Sequence, residues 1–119
     1  MERPIGRLGN VILPADDFQR TVDFCTHTLG LPLKFRDGDR WAAFDAGGIT
    51  LAVAGGSEKP PGGGIALSFK VDDVAAAIAR AAKGGAIVVQ EAAEGLHEIR
   101  GAVKNRAGHV VYFYAPKPK

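Results

Sequence analysis

The chain has 119 residues, 46% of them hydrophobic and 24% charged, which is the make-up of one ordinary globular domain with enough apolar material for a core and which argues against disorder. Its net charge of +2 comes from scattered residues, with a basic cluster only at Lys117-Pro118-Lys119, so no basic stripe points to a nucleic-acid partner. Cys25 stands alone and excludes an internal disulfide, residues 1–6 lack the apolar stretch of a secretory signal, and no apolar run approaches the roughly 20 residues that span a bilayer; the expectation is a cytoplasmic protein with no membrane partner.

Alternation from Leu8 to Leu13 predicts a half-buried strand, and Asp16-Asp17 then offers an N-cap for a helix from about Phe18 to Leu29. Phe18, Val22, Cys25 and Leu29 form one apolar stripe at helical spacing, and Gly30 is placed to stop the helix. Strands are predicted at 32–35, 40–45 and 49–54, with a turn at Gly47-Gly48. Residues 55–64, rich in Gly and Pro, read as a linker. A strand over 65–69 follows, then Asp73 as the cap of an Ala-rich helix over 74–82 that Gly84-Gly85 ends. Strands at 86–90, 98–103 and 109–114 complete the chain, with a turn at Ala107-Gly108.

The second half repeats the first. Asp17 and Asp73 are 56 residues apart, Gly30 and Gly85 are 55 apart, and Gly48 and Gly108 are 60 apart, so the same landmarks recur in the same order. The expected domain is therefore a pair of βαβββ modules, about 6–54 and 65–116, giving an α+β fold whose curved mixed sheet wraps a cleft. Strand alternation sends Val11, Leu13, Leu51, Val53, Leu67, Phe69, Ile99, Val103, Val111 and Phe113 to the helix side. The other face carries Asn10, Ile12, Trp41, Ala52, Ala66, Ser68, Glu98, Arg100, Tyr112 and Tyr114. Aromatic, small and polar groups on an uncovered sheet face suit a cavity for a small organic molecule, or packing against the other half or another chain.

The repeated module, the segment Asn10-Val11-Ile12-Leu13-Pro14-Ala15-Asp16-Asp17-Phe18, the helix end Thr28-Leu29-Gly30-Leu31-Pro32 and the closing Asn105-Arg106-Ala107-Gly108-His109-Val110-Val111-Tyr112 resemble the glyoxalase/bleomycin resistance/extradiol dioxygenase superfamily, also called vicinal oxygen chelate. The resemblance covers about residues 6–116. It implies a metal held, in catalytic members, by His or Glu on the first and last strand of each module. Carried over, those positions are Asn10, Ala52, Ala66 and Tyr112, none a good ligand for a divalent metal.

Other residues offer little chemistry. His27 reads as a helix-end histidine and His109 as a structural one beside its turn. His97 with Glu98 is a candidate acid/base pair at the cleft rim, against a plain surface-loop reading. Glu98 and Arg100 share a face and are expected to pair. Gly62-Gly63-Gly64 precedes a strand and lacks a following Lys-Ser/Thr, so it is no phosphate cradle, and Cys25 reads as a small buried hydrophobe.

The expected function is metal-independent, bleomycin-resistance-like binding of a small planar molecule, an antibiotic or metabolite, with no cofactor, no catalytic residue and a homodimeric assembly. The alternatives are a glyoxalase-like lyase, isomerase or dioxygenase with metal at unexpected positions, and a non-catalytic interaction module.

Overall fold

The computed structural model describes residues 3–95 and 97–117; Met1, Glu2, Leu96 and the last two residues of the basic cluster, Pro118 and Lys119, lie outside them. Two helices lie on one face of a single curved, mixed eight-stranded sheet, an α+β fold. The elements run β1 (Arg7–Pro14), α1 (Phe18–Asp23), β2 (Leu33–Asp37), β3 (Trp41–Asp45), β4 (Thr50–Ala54), β5 (Ala66–Lys70), α2 (Val74–Lys83), β6 (Ile87–Glu94), β7 (Glu98–Lys104) and β8 (Val110–Pro116). No helix among the described residues is long and apolar enough to cross a membrane.

Both helices start where an Asp side chain takes up an otherwise unpaired N–H. Asp17 accepts from Arg20 at 3.1 Å and Asp73 from Ala76 at 3.0 Å. After α1 the chain widens into a π-helical turn over Phe24–Thr28, where the Leu29 N–H reaches back to the Phe24 carbonyl. The extra residue per turn breaks the expected stripe. Phe18, Val22 and Cys25 are buried, but Leu29 is rotated out and 47% exposed, and Leu31 packs on the core instead. Gly30 ends the helix at φ +68°, a conformation that suits glycine.

The strand order is β2-β3-β4-β1-β5-β8-β7-β6, with β1·β4 and β5·β8 parallel and the rest antiparallel. The duplication is written in the register. Asn10 faces Ser68 and Ile12 faces Ala66 across β1·β5, as a twofold that maps Asn10 on Ala66 and Ile12 on Ser68 requires. The parallel pairs agree: Asn10 with Thr50 and Ile12 with Ala52 in one half, Ala66 with Val110 and Ser68 with Tyr112 in the other. The two halves join within one chain.

Under α1 lie Ala42, Phe44 and Val53; under α2 lie Val103, Phe113 and Ala115. The equivalent cross-strand pairs divide their volume differently. Ala42 opposes Val53 on β3·β4, whereas Gly101 opposes Phe113 on β7·β8. A Cβ on Gly101 would stand 2.5 Å from Ile78 Cδ1 and 3.0 Å from the Gln90 carbonyl oxygen. Gly101→Ala should accordingly lower stability by about 1–3 kcal/mol through overpacking, read as a lower urea midpoint at unchanged slope.

Candidate functional site

The face of the sheet away from the helices forms a cleft of about 480 Å³. Its wall on the first module is aromatic. Trp41 pairs across β2·β3 with Asp37, and Phe35 joins them on that face because a register shift between Leu33 and Phe35 re-aims the strand. The wall on the second module is β7 and β8, whose residues Glu98, Arg100, Tyr112 and Tyr114 alternate toward the cleft. Asn10, Ile12 and Ser68, from the central β1·β5 pair, lie between the walls.

Of the ten ligand-binding residues expected from the sequence, the cleft brings together eight: Asn10, Ile12, Trp41, Ser68, Glu98, Arg100, Tyr112 and Tyr114. Ala52 and Ala66 are not among its lining. Both are fully buried in the apolar cluster with Ile12 and Tyr112, where their small size lets the neighbouring strands pack and so shapes the floor from beneath. The structure adds Phe35, Asp37, Arg40 and Glu58 to the lining, and His97, the cleft-rim candidate beside Glu98, lines it too. Asp37 lies beyond the predicted end of its strand at residue 35, and Phe35 shares its face with Trp41 only through the pairing of β2 with β3. Glu58 comes from the expected linker: a 3-10 turn over Gly56–Glu58 and the buried Pro60 fold that segment in toward the cleft.

Charge in the cleft is largely matched. Arg40 Nη2 meets Asp37 at 2.7 Å at the rim. Arg100 Nη2 lies 3.4 Å from Glu58, and its Nη1 lies 3.9 Å from Glu98, so the expected Glu98 and Arg100 pair exists but the guanidinium stands closer to the linker carboxylate. Burial pushes the Glu98 carboxyl above its ordinary value, and the charge of Glu58 adds to this, against the pull of Arg100 and His97. Burial likewise raises the Tyr112 phenol against the pull of Arg100, which keeps it a neutral hydrogen-bonding group near neutral pH.

A raised carboxyl holds its proton more tightly in the folded chain than in the unfolded one. The associated stability is therefore present in acid, below the unfolded value, and is lost as pH rises through the folded one. Glu98→Gln should gain on the parent chain between about pH 4 and about pH 7 in urea unfolding. A difference that shrank over that range would contradict the assignment.

Among the described residues, no group of three or more His, Cys, Asp or Glu is arranged to hold a metal ion. The four positions at which the family's metal ligands were expected present an amide at Asn10, methyl groups at Ala52 and Ala66, and a phenol at Tyr112. That donor set does not fit a divalent cation, which takes imidazole nitrogen and carboxylate oxygen in such open sites. The other histidines are elsewhere. His27 is exposed in the π-helical turn, and exposed His109 has its Nδ1 3.2 Å from Asn105 Nδ2. Cys25 is wholly buried in the core, and burial raises its thiol.

A family model described as a glyoxalase-like domain matches residues 10–112. The chain belongs to this family. A relative in Mycolicibacterium smegmatis, described only as an uncharacterized protein, is 34% identical over 106 residues, which is 89% of this chain and 90% of the relative. Solved structures that share the glyoxalase-like fold include the following two. A glyoxalase/bleomycin resistance protein/dioxygenase superfamily member from Vibrio splendidus has a TM-score of 0.66 at 18% identity, covering 92% of this chain and 97% of that one. The methylmalonyl-CoA epimerase of Mycobacterium tuberculosis has a TM-score of 0.65 at 18% identity, covering 93% of this chain and 88% of the epimerase. Identities this low establish the shared fold and leave the activity of this glyoxalase-like chain to its own cleft.

Proposed function

We propose that the protein binds a small, planar organic molecule in the cleft without a metal ion, sequestering an antibiotic or metabolite in the manner of bleomycin-resistance-type members of the superfamily. The observation that carries this reading is the pairing of an aromatic wall, Trp41 and Phe35, with Tyr112 and Tyr114 across a cleft whose presumptive metal positions hold no imidazole or carboxylate. Flat aromatic walls favour a flat occupant, and the Asn10, Ser68 and Arg100 side chains offer directional hydrogen bonds to orient it.

A cytoplasmic location and a homodimer belong to the same proposal. Leu8, Ile65 and Leu67 are exposed by 38%, 58% and 39%, and they lie along β1 and the start of β5, where a second copy would find apolar surface; sedimentation over a range of concentrations reads the assembly.

The binding reading is tested by a thermal-shift screen of planar compounds, each run with EDTA and with added divalent metal. A ligand that raises the melting temperature equally in both supports it. Purified protein that carries near-stoichiometric Fe, Mn, Zn or Ni, with ligand response lost on chelation, refutes it in favour of a metal-dependent enzyme.

A further inference from the structure

The cleft continues past the planar compartment into a second cavity of about 580 Å³, and the two share Asn10 and Tyr114 as a common wall. The partition depends on a glycine. Gly9 lies at the register shift between Leu8 and Asn10, and a Cβ there would collide with the Tyr114 hydroxyl, so only a bare backbone lets that ring close over β1.

The two compartments differ in how their cations are used. In the planar compartment both arginines are engaged, Arg40 by Asp37 and Arg100 by Glu58 and Glu98, so three carboxylates face two guanidinium groups. The second cavity is lined by Arg7 and Lys34. Among the described residues neither forms an ion pair within 4.0 Å, and Lys34 Nζ instead donates to Thr50 Oγ1 at 2.9 Å. Its acidic lining residue, Asp45, accepts from the Gly47 N–H at 3.0 Å and the Gly48 N–H at 3.5 Å and also feels the charge of Lys34, so the cavity sets two cations against one carboxylate and keeps one positive charge in excess.

The pseudo-twofold supplies a second, independent observation. The counterparts of Asp45 and Thr50, 60 residues on, are Asn105 and Val110. At that end the linker fills the space: Lys104 Nζ donates to the Gly62 carbonyl at 2.8 Å, and a Cβ on Gly62 would stand 3.2 Å from Val110 Cγ2. The linker thus closes one end of the groove and leaves the Arg7 and Lys34 end open.

We infer that this open end is an anion subsite: Arg7 and Lys34 take a phosphate or other oxyanion borne on the tail of the planar ligand, whose ring lies between Trp41 and Tyr112. The inference rests on the proposed binding of a planar molecule and narrows its class to one with an uncharged or cationic ring system and an anionic tail. Orientation follows from the charge balance: the open end sets Arg7 and Lys34 against one carboxylate, Asp45, whereas the planar compartment sets Arg40 and Arg100 against three, Asp37, Glu58 and Glu98.

Flavin mononucleotide and riboflavin serve as matched probes, the same ring with and without a phosphate. Fluorescence titration should find the phosphorylated probe bound roughly tenfold more tightly, and Arg7→Ala/Lys34→Ala should abolish that preference while leaving riboflavin affinity unchanged. Arg3→Ala/Lys83→Ala, which removes the same charge from exposed sites elsewhere, should keep it. Equal affinity for the two probes, or a preference that survives in the Arg7/Lys34 variant, overturns the inference.

Inorganic phosphate, followed by amide NMR, tests the subsite without the ring. Saturable shifts at Arg7, Gly9 and Thr50 that vanish in the double variant support it, and their absence overturns it. Phosphate bound with neither flavin bound leaves the anion subsite standing and overturns the placing of the ring between Trp41 and Tyr112, while the planar-ligand reading is decided separately by the thermal-shift screen.

Discussion

Trp41→Ala should weaken a planar ligand by roughly 10- to 100-fold, the effect of losing about 1–3 kcal/mol of stacking, while the chain keeps its fold. The indole is half-buried at the edge of the apolar cluster formed by Ile12, Ala52, Ala66 and Tyr112, so one part of the ring is held by the protein and the remainder faces the cleft. A tryptophan in this setting offers a wide rigid surface that loses little freedom when a ligand settles on it. Isothermal titration of the tightest compound from the thermal-shift screen measures the effect, with circular dichroism to establish that the sheet persists. Unchanged affinity in the variant would mean that the occupant does not stack there, and the planar-ligand proposal would fall.

The largest loss of stability is expected at Phe113. It is 1% exposed and packs with Val71, Val74, Ile78 and Val103 beneath α2, so Phe113→Ala should cost about 3–5 kcal/mol, the usual range for emptying so large a buried volume. Domains of this size have only about 5–15 kcal/mol in all, so the variant should unfold at much lower urea. Gly101 sharpens the test. It has no side chain to fill the void opposite, but Ile78, which crowds its missing Cβ, could move into that void. Gly101→Ala should then be less damaging in the Phe113→Ala background than alone, a coupling that a double-mutant cycle reads directly. Additive losses would show that Ile78 cannot shift.

Much of the architecture was legible because the devices that build it are local. An Asp at each helix start, a glycine at each helix end and the two-residue side-chain period along β4, β5 and β8 act within a few residues, and the helix signals appear twice. The concave lining was readable for the same reason: side-chain parity on a strand needs no knowledge of the neighbours. What was missed depends on non-local geometry. No residue type announced the π-helical turn that turns Leu29 outward, and the shift between Leu33 and Phe35 that brings Phe35 and Asp37 into the cleft shows only once β2 is paired with β3. Glu58 lay in a stretch whose glycines and prolines read as a connection. Its place beside Arg100, 42 residues away, is set by how the chain passes from one half to the other. Ala52 and Ala66 had the right parity, but a methyl group is too short to reach past Ile12 and Tyr112.

The central β1·β5 pair is also the seam between the two halves. Every strand pairing other than this one lies inside a single half of the chain, so each half closes its own parallel pair, β1 with β4 and β5 with β8, over a loop of about 40 residues. Joining the halves pairs residues further apart in the chain, and only that pairing brings Asn10 opposite Ser68 and sets Trp41 across from Tyr112. The cleft lined from both modules exists only once the two halves are joined. A ligand bound there would act as a latch on the docked halves, slowing their separation in kinetic unfolding measurements.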